Sequence, residues 1–396
     1  MKRYVIVFSC LLVTAFSCKK ETRLTQAANS TYSNGPADSL KINQFTILAS
    51  HNSYHLRTDS TVLSFLSVIS GSLPPGDDPK EIDYIHLPLT QQLVEYKIRG
   101  LELDVWNDPT GGLFYNRGAY SLLGFDQASH LQFMNKPGFK IIHIPDFDFN
   151  STNYTFVDAL TEVKAWSDAH PNHLPVFINV ETETETVGDM INLSNLVHAA
   201  AFDATAANEL DIEIKSVFGD NLAGVITPDM VRGNYTTLNL AATSGGWPTL
   251  AQTRGKVMFI IDPDGNSGSV YKSGHPSLQG RAMFVYSNPG QNEAAFVKMN
   301  DPVNSFTQIQ EAVKQGYIVR TMSDDATIEA RAGDYSRMHT AFASFAQIVS
   351  TDYYKADYRA GTPGWSNYHV QLPGAGVGRV DSISATTQIG LGPLKE

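Results

Sequence analysis

The chain has 396 residues, 42% apolar and 17% charged, a globular composition rather than a disordered one. That length fits one large barrel or two ordinary domains. A formal net charge of −11 leaves no general basic surface. Nucleic acid is therefore excluded as a partner, and an anionic substrate must be held locally, by a metal ion or a few Arg and Lys side chains.

At the N-terminus, Lys2 and Arg3 precede an apolar run from Tyr4 to Phe16, too short to span a bilayer as a permanent helix. Thr14-Ala15-Phe16-Ser17-Cys18 resembles a bacterial lipoprotein signal. Residues 1–17 are thus expected to be a signal peptide, with Cys18 as the lipidated first residue; an ordinary secretory signal is the alternative. The expected location is the bacterial cell envelope, with the protein exported and anchored at a membrane surface. The polar stretch that follows reads as a flexible tether, residues 18–40, leaving 41–396 as one barrel domain expected to be monomeric. Cys10 and Cys18 are the only cysteines, so the exported body has no disulfide, no thiol nucleophile and no Cys-based zinc site. No other apolar run is long enough to cross a membrane.

From residue 45 onward, short apolar segments recur: Phe45–Ser50, Gly100–Val105, Lys140–Ile144, Pro175–Val180, Lys256–Ile261, Ala282–Ser287, Tyr317–Thr321 and Gln347–Thr351. Each is mostly apolar on both faces, the pattern of a buried parallel strand. Helical spacing appears between several of them, at Phe156–Ser167, Phe306–Gln315 and Tyr335–Phe345. Eight strands with intervening helices predict an α/β protein, a (β/α)8 TIM-type barrel. Leu222–Ile226 is assigned to an excursion between strands four and five, and Gly71–Pro79 to a long loop.

Polar residues gather where these strands end: Ser50-His51-Asn52, Glu102 and Asp104, His143, Glu181 and Glu183, Asp262 and Asp264, Arg320, and Ser350-Thr351-Asp352. The C-terminal ends of barrel strands converge on one face, where active sites lie. Glu102 and Asp104 stand two residues apart and share a strand face. Two adjacent buried anions call for a cation, and a hard metal ion answers that; a solvated edge strand is the other reading. An Asn oxygen with several carboxylates suits Ca2+, which leaves two histidines free for proton transfer. That division of labour suits hydroxyl attack on a phosphodiester. A zinc site on His51 and His143 is the competing arrangement, weakened by the oxygen-rich set.

These residues resemble the phosphoinositide-specific phospholipases C. Ala49-Ser50-His51-Asn52-Ser53-Tyr54-His55 is similar to the family's first catalytic motif and Gly100–Trp106 (GLELDVW) to its second. His86–Leu93 (HLPLTQQL) is similar to the lead-in of the bacterial and fungal calcium-dependent branch. Lys140-Ile141-Ile142-His143, Phe177–Glu181, Leu250–Ile261, Gly316–Met322 and Ser344–Tyr353 continue the resemblance, which runs from about residue 44 to 373. It implies a Ca2+-dependent phosphodiesterase that cleaves phosphatidylinositol-type lipid to diacylglycerol and inositol phosphate by way of a cyclic phosphate. It implies His51 as general base, His143 as general acid, and Asn52, Glu102, Asp104 and Glu181 as Ca2+ ligands. Glu183 is the alternative to Glu181, since a two-residue step keeps the face. Arg320 and Lys256 are candidate phosphate or inositol contacts; a surface salt bridge accounts equally for Lys256. The chain departs from the animal enzymes of this family at Ile144-Pro145-Asp146, which stands where they have a glycine turn after the second histidine. His55 and His86 are expected to be structural hydrogen-bonders, and Asp262–Asn266 a strand-end turn. The rivals are a barrel phosphodiesterase acting on glycerophosphodiesters and a surface lipoprotein that binds a phosphorylated ligand without turnover.

Overall fold

Branched and aromatic residues fill both faces of the strand segments, which compels burial between an interior and a helical layer. The structure, a computed structural model, describes residues 36–70, 78–385 and 392–396. Cys18, the expected signal peptide, most of the tether and residues 71–77 of the expected loop lie outside these.

The strands are β1 Phe45–Ser50, β2 Gly100–Trp106, β3 Lys140–Ile141, β4 Val176–Glu183, β5 Val257–Pro263, β6 Phe284–Val285, β7 Phe296–Lys298, β8 Ile318–Met322, β9 Ile348–Thr351, β10 Gly378–Val380 and β11 Pro393–Leu394. Eight of them pair in parallel in the order β6-β5-β4-β2-β1-β9-β8-β7. A parallel bridge between Tyr286 and Phe296, with Ser287 N donating to Phe296 O at 3.1 Å, joins the two ends. The result is a nearly closed (β/α)8 barrel. At the start of β1, β10 pairs antiparallel, with β11 beyond it.

Helices cover the outside. Thr155 caps Phe156–Ala169 through Asp158 N, and Phe156, Ala159, Leu160, Val163 and Trp166 are buried along one face. Asp203 caps Ala204–Phe218 in the same way, and Gly316, at φ 102°, terminates Phe306–Gln315.

The expected eight strands are present in number but not in identity. The apolar run 140–144 is not a barrel strand: only Lys140–Ile141 is extended, and it runs antiparallel against Val105 and Trp106 at the end of β2. The missing member is β7, three residues long, too short to stand out as an apolar run. Leu222–Ile226 does lie off the barrel path, touching β5 through one bridge from Val225 to Val257.

Candidate active site

β2, β4 and β5 run in register, so Asp104, Glu181 and Asp262 lie abreast across three neighbouring strands. Glu102 stands opposite Asn179 one step deeper, and Glu183 opposite Trp106 one step further out. Side chains two residues apart share a face, so all these groups face the interior near the strands' C-terminal ends. Glu102, Asp104 and Asp262 are almost fully buried. Oxygens of Glu102, Glu181 and Asp262 come within 4.8 Å of one another.

Two cations meet this row. Arg320, buried on β8, pairs with Glu102 through Nη2 and approaches Asp262 Oδ2 at 3.6 Å through Nη1. Lys298, on β7, pairs with Asp262 and is partly open to solvent. Both are already committed to carboxylates. A cleft of about 310 Å3 opens beside them, lined by Asp262, Lys298, Tyr286, Ser287 and Gln291 among others.

The electrostatics register an excess of negative charge. Burial, then Glu183 and Glu102, push the Asp104 carboxyl well above its ordinary range. Burial, then Asp262 and Asp104, do the same to Glu181. Glu183 is pushed up to about 7 by burial and by Asp264 and Asp262. Glu102 goes the other way: burial opposes its ionisation, but Arg320 and His51 hold it lowered.

His51 follows β1, its N–H bonded to Thr351 O at 3.0 Å. Its Nδ1 donates to the buried Asp352 Oδ1 at 2.8 Å. Burial disfavours its charge, yet Asp352 and Glu102 raise its pKa to about 9. His143 lies beyond β3, its Nδ1 donating to Asp148 Oδ2 at 2.7 Å. The two side chains remain partly exposed, 26% and 24%, and His143 Nε2 lies 3.3 Å from the Asn52 amide. His86 is held down to about 3, chiefly by burial, and its Nε2 donates to His51 O at 2.7 Å. It is a neutral brace for the His51 turn.

Asn52 follows in a left-handed conformation, φ 42°, which Asn tolerates better than most residues. That turn brings its amide against Asp104. With Nδ2 toward Asp104 the amide donates at 3.1 and 3.2 Å, while Oδ1 accepts from Tyr84 OH at 3.2 Å and His143 Nε2 at 3.3 Å. With Oδ1 toward Asp104, oxygens face each other at those same distances, an arrangement satisfied by a cation between them. Asp262 Oδ2 and Asn179 Oδ1 are also buried without a hydrogen-bond partner. The donor set is oxygen-rich, anionic and under-neutralised, and it fits Ca2+.

Of the residues singled out from the sequence, His51, Asn52, Glu102, Asp104, His143, Glu181 and Arg320 converge here. Lys256 does not. It precedes β5 at the opposite end of the barrel, about 20 Å from the level of Asp262, with Nζ bonded to Ala223 O. Its expected substrate contact is corrected: Lys298 is the lysine in the mouth. Sequence reasoning also left Asp262 as a turn residue and gave Asp148, Asp352 and Tyr84 no role. Their one signal was position, Asp262 and Asp352 both falling at apolar strand ends.

A parallel eight-stranded barrel with two carboxylate-backed histidines beside an oxygen-rich metal-type cluster belongs to the phospholipase C-like phosphodiesterase class. The family model described as "Phosphoinositide phospholipase C, Ca2+-dependent" matches residues 40–382. The chain belongs to this Ca2+-dependent family, and is a phosphoric diester hydrolase directed at phosphatidylinositol-type lipids. Among solved structures, it is similar to the calcium-dependent phosphoinositol-specific phospholipase C of a Pseudomonas species. The apo form gives 15% identity and a TM-score of 0.51, covering 84% of this chain and 98% of that one. The myoinositol complex gives 16% and 0.51, covering 84% and 97%. A Ca2+-dependent phosphatidylinositol-specific phospholipase C from Streptomyces antibioticus gives 16% and 0.49, covering 79% and 95%. No curated protein matches the chain.

Proposed function

We propose that His51 and His143 divide proton transfer between them, in a two-stage cleavage at the mouth of the barrel. The observation that supports this is that each imidazole has its own buried carboxylate behind Nδ1, Asp352 and Asp148, leaving Nε2 for the substrate. In the first stage His51 Nε2, unprotonated once a cation at Glu102 offsets part of the charge that raises its pKa, takes the proton of the inositol 2-hydroxyl as its oxygen attacks phosphorus. His143 Nε2 gives a proton to the departing diacylglycerol oxygen, and a cyclic inositol phosphate remains. In the second stage a water molecule opens the ring and the proton roles reverse. Asn52, Glu102, Asp104 and Glu181 would hold Ca2+, which supplies positive charge for the phosphate as it gains negative charge. Glu181 is preferred to Glu183 because it stands level with Asp104. Arg320 acts from within, as counter-ion to Glu102 and Asp262, and Lys298 is the cation nearest the open cleft.

The reading extends to location. The protein is exported and anchored through a lipidated Cys18 at a membrane surface of the cell envelope, and works there as a monomer. Among the described residues no helix is long and apolar enough to cross a membrane. Mass spectrometry of the mature N-terminus tests the anchor; an unmodified N-terminus at another residue overturns it.

The decisive assay is 31P NMR of phosphatidylinositol turnover with calcium and with chelator. A cyclic inositol phosphate that forms in calcium and not in chelator is expected. Undiminished turnover in chelator overturns the metal assignment. Glycerol phosphate released from glycerophosphodiesters, with no turnover of phosphatidylinositol, overturns the substrate.

A further inference from the structure

Asp148 is fully buried, and its Oδ2 accepts from two histidines at once, His143 Nδ1 and His55 Nε2, each at 2.7 Å. Its other oxygen accepts from Thr58. His55 is itself fully buried and stacks on Tyr84 with ring centroids 4.3 Å apart and 23° between planes. The turn that brings Asp148 here is Ile144-Pro145-Asp146, the segment that differs from the animal enzymes. Asp146 takes φ 74°, and Ile144 and Asp148 exchange backbone hydrogen bonds of 3.1 and 2.8 Å. Ile144-Pro145-Asp146 thus folds the chain back so that a carboxylate five residues on lands behind the ring of His143.

Such a trio has the composition of a metal site. Its geometry is that of a hydrogen-bonded relay instead. Ligands around a tetrahedral zinc stand about 3.3 Å apart given the usual bond lengths, whereas these nitrogens touch the carboxylate oxygen at 2.7 Å.

We infer that His55, acting through Asp148, is a positioning residue that holds His143 in the orientation needed to protonate the leaving oxygen. A carboxylate with one histidine partner can rotate about its terminal torsion. One pinned by His55 on one side and Thr58 on the other cannot, and the direction of His143 Nε2 is set with it. His55 touches no substrate in this reading; Tyr84 stacks on its ring. The inference rests on His143 being the general acid.

Leaving-group dependence tests both. Diacylglycerol leaves as an alkoxide and needs a proton, while an aryl leaving group, as in a 4-methylumbelliferyl inositol phosphate, departs without one. His55→Phe keeps a ring against Tyr84 and removes the donor to Asp148; His55→Gln keeps a donor. His55→Phe is expected to lower kcat on phosphatidylinositol about 100-fold, with KM unchanged and aryl-ester turnover within about threefold of the parent. His55→Gln is expected to recover most of that loss. Asp148→Asn should show the same discrimination and carries the comparison if His55→Phe does not fold. Equal losses on both substrates in these variants, alongside a discriminating His143→Ala, overturn the positioning role. A His143→Ala that itself loses both activities equally overturns the general-acid reading instead.

Discussion

Arg320 looked from the sequence like a substrate contact, but its guanidinium is spent inside the protein. It is 3% exposed, Glu102 is 2% exposed at the side chain, and the second nitrogen lies 3.6 Å from Asp262. Replacing Arg320 with Met keeps the apolar volume and removes the charge. Glu102 and Asp262 then remain buried, with Lys298 paired to Asp262 and His51 the nearest positive charge left to Glu102. Breaking a buried pair from one side costs about 3–5 kcal/mol. The companion change Glu102→Gln removes the orphaned charge and keeps an acceptor for Asn179 Nδ2, which now bonds Glu102 Oε1 at 2.9 Å. In urea denaturation with chelator, Arg320→Met should therefore lose about 3–5 kcal/mol and the double variant should recover at least half of that. Calcium should narrow the deficit of the single variant, since a cation at Glu102 replaces part of what Arg320 supplied. A single variant within about 1 kcal/mol of the parent, or a double variant as unstable as the single, refutes the reasoning. Either would mean that Arg320 is free to serve the substrate.

Other consequences are equally direct. Saturating calcium should stabilise the parent by about 2.7 kcal/mol at a hundredfold excess over Kd, read as a thermal-melt shift that Asp104→Asn removes. Glu181→Gln should weaken calcium affinity, measured by calorimetry, far more than Glu183→Gln; the reverse order would move the ligand outward by one step. Glu213, buried on the helix Ala204–Phe218, has one oxygen accepting from Phe139 N at 2.8 Å and the other unpartnered, and burial pushes it up to about 7 from 4.5. Its folded-state pKa is raised, so its contribution to stability is fully present below pH 4.5 and is lost as pH rises through 7. Glu213→Gln should match the parent at pH 4 and exceed it by at most about 3 kcal/mol at pH 8, in chemical denaturation at the two pH values. Gly100 pairs with Ala49 so closely that an added Cβ would lie 2.4 Å from the Ala49 Cβ. Gly100→Ala should therefore push β1 from β2, cost about 1–3 kcal/mol, and lower activity by shifting His51 against Glu102.

The parts of the site that could be read from the sequence are those fixed by local periodicity. Glu102 and Asp104 share a face because they are two apart, and the apolar residues between them had to face the helices. The residues that orient the histidines were not legible in the same way. Asp352 lies 301 positions from His51, and nothing but closure of the barrel between β1 and β9 brings them together. Asp148 is near His143 in sequence, but it reaches the ring through a left-handed residue, Asp146, that carries no glycine to announce it. The lysine was misplaced for a different reason. Lys256 immediately precedes β5, and residues that precede a barrel strand lie opposite the catalytic face. Lys298 was hidden because its strand is three residues long, and the spare apolar run at 140–144 had already made up the count of eight.

The mouth of the barrel holds five carboxylates, Glu102, Asp104, Glu181, Glu183 and Asp262, against two cations paired directly with them, Arg320 and Lys298, while the charge of His51 is shared with its own partner Asp352. A protein can carry such an excess in three ways: protons, water or a bound cation. Water is limited where Glu102, Asp104 and Asp262 are almost fully buried. Protons are the response of the cation-free protein, seen in the raised carboxyls of Asp104, Glu181 and Glu183. A divalent cation would compete with those protons, so calcium affinity is expected to rise with pH as these carboxyls ionise, a trend that calorimetry at two pH values checks. The row is unevenly neutralised. Glu102 and Asp262 already have partners, whereas Asp104 has only the hydroxyl of Tyr54 at 2.7 Å and the amide of Asn52. The unmet charge is concentrated between Asn52, Asp104 and Glu181, on the side of the row nearest His143 and away from the Lys298 cleft. A cation held by Asn52, Glu102, Asp104 and Glu181 would supply positive charge where this side of the row lacks it, and would leave the Lys298–Asp262 pair intact.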